Sequence, residues 1–136
     1  MARVVVPGGV VAYRRDLRRK GGAYAAAAAA VVAVVGALLI VLPGRITGLL
    51  GFALIIGACP LLVAFGVPLT ASVSSVGIGV ALSLCLWFAV GQFAAYRATQ
   101  RSVADWRDWW SNVWPLGLAM TLGGGAGFLL FALGVL

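Results

Sequence analysis

The chain has 136 residues, of which 63% are hydrophobic and only 10% charged, against about half and a quarter in a soluble domain. That leaves too little polar surface for water and makes lipid the fitting solvent. The net charge of +7 does not point to nucleic acid. Arg3, Arg14, Arg15, Arg18, Arg19 and Lys20 all precede the first long apolar run, without aromatic stacking platforms, and basic residues beside a span are a topology signal.

The order of elements predicts an all-α integral membrane protein: a four-transmembrane-helix bundle with a short amphipathic interfacial helix before the last span. Residues 1–22 read as a basic cytoplasmic tail, interrupted at Pro7-Gly8-Gly9 and ended by a flexible joint at Gly21-Gly22. The run Tyr13-Arg14-Arg15-Asp16-Leu17-Arg18 loosely resembles a twin-arginine signal. The apolar run after it is too long for a signal h-region of about 7–15 residues, and further spans follow, so it reads as a positive-inside anchor.

The membrane domain, 23–136, starts with a first span over about 23–42. The Ala25–Ala30 run contributes little. The second half, from Val31 to Leu42, favours insertion by roughly 3–5 kcal/mol at about 0.3–0.6 per strong residue. Pro43-Gly44-Arg45 predicts a tight turn into an antiparallel second span over about 46–67, kinked at Pro60 and ended by Pro68. Leu69 to Ser74 form an uncharged loop. The third span covers about 75–96 and ends at Tyr96 and Arg97.

Trp106, Trp109, Trp110, Val113 and Trp114 then recur at i, i+3, i+4, i+7 and i+8, the spacing of one helical face. With Ser102 and Asp105 resembling a capping box, they predict an interfacial helix over about 102–114 with its tryptophans at headgroup depth. Pro115 suits the first turn of a fourth span over about 116–136.

Four spans put both termini on one side, and the tail beside the first span makes that side cytoplasmic in a cell membrane. Arg97, Arg101 and Arg107 then fall on the wrong side. A re-entrant second run, folded back at Pro60, is the alternative that removes this conflict. The ratio of nine arginines to one lysine and the Ala/Gly/Val richness suggest a GC-rich prokaryotic genome.

The spans carry no ionisable residue away from their ends, which argues against proton-coupled carriers, ion pumps and voltage sensors. Gln92 is the most polar group within a span and reads as an interhelical hydrogen bond, with a substrate or pore contact as the alternative. Expected packing faces are Ala119, Gly123 and Gly127 on the fourth span and Ser75, Gly79 and Ser83 on the third. Interface anchoring falls to Trp106, Trp109, Trp110 and Trp114 and to Arg14, Arg15, Arg18 and Arg19.

No catalytic, cofactor-binding or metal site is expected. Histidine and glutamate are absent, Cys59 and Cys85 read as small core residues, and Asp105 and Asp108 are more simply helix-surface carboxylates than an acid/base pair. The expectation is a non-catalytic structural or accessory membrane protein. Its partners would be the bilayer, anionic lipid headgroups and a homo-oligomer or larger membrane complex, with no nucleic acid. An oligomeric channel or small-solute transporter is the alternative.

Overall fold

The computed structural model describes residues 9–66, 72–100 and 104–134, and every regular element in them is helical. Helix α1 runs Gly9–Val41 and α2 runs Arg45–Ala58. A short 3-10 helix, Pro60–Phe65, follows α2 directly. Then come α3, Val73–Ala98, and α4, Trp106–Ala132. Helices α1, α3 and α4 are each long and apolar enough to cross a membrane. Arg45–Ala58 has 14 residues, about 21 Å at 1.5 Å per residue, which is short of a ~30 Å hydrocarbon core.

The packing partners fix the direction of every element. Along α1, Arg18 meets Thr99, Gly21 meets Ala95 and Gly91, and Gly22 meets Gln92 and Phe88, so α1 and α3 are antiparallel. Gly51 of α2 lies against Gly36 and Ile40, so α2 runs back down α1. At Cys59-Pro60 the chain turns round. Ala58 touches Trp87, Leu61 touches Ser83, and Leu62 and Phe65 touch Gly79, so this limb climbs back towards the start of α3. Helix α4 confirms the reversal: Phe52 meets Phe128, Ile56 and Pro60 both meet Gly124, and Val63 meets Gly127.

Residues 45–65 therefore form a helical hairpin with its elbow at Ala58–Pro60. The described residues thus hold three long apolar helices and one shorter one in place of four long ones, and the second run folds back at Pro60, as in the alternative reading of it. A proline after Cys59 cannot donate to a carbonyl one turn back, so α2 stops there and the next six residues tighten into 3-10 geometry. Since α1 and α4 are both antiparallel to α3, the C-terminal end of α4 lies opposite the N-terminal end of α1.

Two local readings also change. Gly21-Gly22 is not a joint: both residues are buried inside a continuous helix of 33 residues. A Cβ on Gly21 would lie 2.7 Å from that of Ala95, and one on Gly22 would lie 2.9 Å from the Phe88 carbonyl oxygen. The glycines are there for close approach of two backbones. Nor is there a separate interfacial helix before Pro115. Asp105 caps α4 by accepting from the Trp106 N–H (2.6 Å), and the helix continues through Pro115. The expected Ser102 cap lies outside the described residues.

Much of the interior is made of small residues, among them Ala25, Ala29, Ala94, Ala95 and Ala98, joined by Leu17, Leu62, Trp109 and Val113, while Val31, Leu38, Leu49, Leu118, Leu122 and Leu129 face outward. Such packing suits helices in lipid, where small contacts let backbones approach and large apolar side chains lose nothing by facing the solvent.

Candidate functional site

Two features stand out: the sealed elbow of the hairpin, and a groove between α1 and α4. At the elbow the backbone has left regular hydrogen bonding, so its polar groups need partners. The Trp87 indole N–H donates to the Ala58 carbonyl (2.8 Å). The Leu61 N–H donates to Ser83 Oγ (3.3 Å), whose own hydroxyl donates to the Gly79 carbonyl (2.7 Å). The Cys59 N–H donates to the Ile55 carbonyl (2.7 Å). Cys59, Ala58, Leu62 and Ser83 are all buried. Among the described residues no buried side-chain nitrogen or oxygen lacks a partner. Cys59 sits in the elbow and Cys85 on the exposed face of α3, both as free thiols.

The groove has an alanine wall on α1 and a tryptophan wall on α4. Ala25, Ala28, Ala29 and Val32 form the first, Trp110, Trp114 and Leu118 the second, and Gly57, Ala58 and Trp87 the floor, enclosing about 390 Å³. A second hollow of about 540 Å³ lies between Pro60, Val63, Leu86 and the Gly123–Gly127 stretch of α4. Both are lined almost wholly by apolar side chains.

The tryptophans divide the roles expected of them as a group. Trp109 is 7% exposed. It fills the slot beside Gly21 and donates its indole N–H to the Gly91 carbonyl (3.1 Å). Trp106 packs edge-on against Tyr24, with ring centroids 5.2 Å apart. Trp110 and Trp114 remain 56% and 60% exposed. The amphipathic face read from the sequence is thus buried against α1 and α3 along Trp106, Trp109 and Val113.

The arginines divide too. Arg14 donates to the Thr99 carbonyl. Arg18 donates to Thr99 Oγ1 (2.8 Å) and lies over the Tyr96 ring. Arg15 and Arg19 are exposed. The Tyr13 hydroxyl donates to Asp105 (3.1 Å), so the start of α1 is clasped to the link between α3 and α4. Arg14, Arg15, Arg18, Arg19, Lys20, Arg97 and Arg107 consequently share one end of the molecule, and Arg45 stands at the other.

Of the expected packing residues, Gly79 and Ser83 are buried against the hairpin, whereas Ser75 caps α3 together with Ser72. Ala119 and Gly123 are exposed, Gly127 makes only a 3.9 Å approach to Val63, and the buried glycine of α4 is Gly124, against Pro60 and Ile56. Gln92 is half-buried, with its Cγ against Gly22. Sequence reasoning missed Gly36 and Gly91, whose only signal was a small residue amid larger apolar ones. No family model, curated protein or solved structure matches the chain.

Proposed function

We propose that this is a small, non-catalytic accessory or structural protein of a cell membrane. Helices α1, α3 and α4 cross the bilayer, the hairpin enters from the far side, and the basic end lies in the cytoplasm. The segregation of basic residues supports this orientation, because Arg97 and Arg107 join the N-terminal cluster and the positive-inside conflict of a four-span threading disappears. Helix α1, at 33 residues, is about 50 Å long, so its basic first turns stand outside the hydrocarbon.

The observation that carries the accessory reading is the sealed elbow. A re-entrant segment that handles a solute offers unpaired backbone groups or titratable side chains to a water-filled cavity. Here the elbow's polar groups are tied to Trp87 and Ser83, and the adjoining hollows are apolar. A second reading, an oligomeric channel or small-solute transporter, is favoured by the hairpin itself, which meets glycine-rich α4 at mid-depth.

Flux separates the two. Purified protein in sealed vesicles should pass ions, water and small neutral solutes no faster than empty vesicles do. Saturable or ion-selective flux that Ala58→Leu abolishes would overturn the accessory reading in favour of the second.

A further inference from the structure

The groove between α1 and α4 is neither closed by the fold nor used by the reading above. We infer that it holds one acyl chain of an anionic phospholipid whose headgroup is bound at the cytoplasmic mouth by Lys20 and Arg107. The inference rests on the membrane placement proposed above, and it is independent of whether the protein is accessory or a conduit.

Shape comes first. The six-alanine run Ala25–Ala30 contributes little to insertion, yet it gives α1 a flat wall that cannot reach its neighbour. Opposite it, Trp110 and Trp114 leave more than half of their surface uncovered. The groove extends along α4 from Trp110 to Thr121, about 16 Å at 1.5 Å per residue, which is close to one leaflet of a ~30 Å core. Its volume of about 390 Å³ falls in the range of single-ligand sites, about 300–1,000 Å³. The lining is alanine, glycine, valine, leucine and indole, with Thr121 at one end bonded to the Gly117 carbonyl and no charge, which suits a hydrocarbon chain.

Charge then selects the headgroup. Lys20 lies one turn before Tyr24 and two before Ala28 on the α1 wall, and Arg107 lies one and two turns before Trp110 and Trp114 on the α4 wall. The register puts one cation on each of the two helices that wall the groove, at its basic end. Arg107 is exposed. Lys20 pairs with Asp16 (2.8 Å), in an i,i+4 contact about half exposed on both sides, weak enough to yield to a phosphate. Asp108, next to Arg107, and Asp105, bonded to Tyr13 and capping α4, are the other carboxylates at this end. Basic residues outnumber them, so an anionic headgroup is preferred over a zwitterionic one.

The chain's own fluorescence reads this site, because Trp87, Trp109, Trp110 and Trp114 line the groove and Trp106 stands beside it. The protein is reconstituted in phosphatidylcholine vesicles doped with dibrominated phosphatidylglycerol or dibrominated phosphatidylcholine. Phosphatidylglycerol should reach half-maximal quenching at a mole fraction at least about fivefold lower, the increment expected of one basic residue at the surface. Lys20→Gln with Arg107→Gln should remove that preference and leave phosphatidylcholine quenching unchanged. Ala28→Leu, at an exposed position, should reduce quenching by both lipids. Equal quenching by the two lipids, or Ala28→Leu without effect, would overturn the inference while leaving the membrane reading intact. Absence of quenching by either lipid would contradict the membrane placement itself.

Discussion

Glycine and alanine decide where these helices touch. A Cβ at Gly91 would lie 2.5 Å from both the Ala25 Cβ and the Gly21 carbonyl oxygen, so any side chain there pushes two backbones apart. Gly77, on the same helix, has nothing within 4 Å of its added Cβ. Gly91→Leu should therefore cost about 1–3 kcal/mol as overpacking does, and it should disturb Trp109, which bonds to the Gly91 carbonyl. Gly77→Leu should leave stability nearly unchanged. Thermal unfolding in mild detergent, followed by tryptophan emission, checks both; equal melting temperatures for the two variants would contradict this packing. Single residues of this kind were only partly legible in the sequence. Gly79 and Ser83 stand out by spacing, but spacing also nominated Gly123, when it is Gly124 that meets the hairpin. Which member of a glycine run is buried depends on the neighbour's rotation, which one chain's periodicity does not carry.

At the scale of the element, the hairpin is held by two side chains of α3. Trp87→Phe keeps an aromatic ring but strands the Ala58 carbonyl, a loss of about 1–3 kcal/mol for a buried acceptor left unpaired. The elbow should open more often, and in a Cys85→Ala background the buried Cys59 should react with a membrane-permeant maleimide at least about 5 times faster, the population change that the lower end of that range produces. An unchanged rate would mean that Trp87 does not seal the elbow. The break at Pro60 was legible, because proline forbids the regular bond. Its direction was legible only as the alternative favoured by the arginines after the third span, since a kinked crossing and a reversal have the same hydropathy. At Pro115 the reverse error arose. The residue marks a helix start in many chains, yet here the turns before it dock Trp109 between Gly21 and Gly91, and that tertiary contact keeps the helix continuous. Gly21-Gly22 misled for the same reason: a glycine pair reads as a joint until the partner helix that needs it is known.

For the whole molecule, three long helices and a hairpin explain together what four spans leave in conflict. Arg97 and Arg107 were the sequence's own signal that the second run turns back, and Arg14 and Arg18 clasp Thr99 to bring those charges to one end. The accessory role and the lipid groove both depend on that threading. Cysteine accessibility tests it directly. In a Cys59→Ala, Cys85→Ala background, single cysteines replace Arg15, Arg45, Ser74 and Arg107, and intact cells are treated with a membrane-impermeant maleimide before and after permeabilisation. Positions 45 and 74 should both label from outside, and positions 15 and 107 only after permeabilisation. Labelling of 45 and 74 from opposite sides of the membrane would contradict the re-entrant hairpin and restore a fourth crossing.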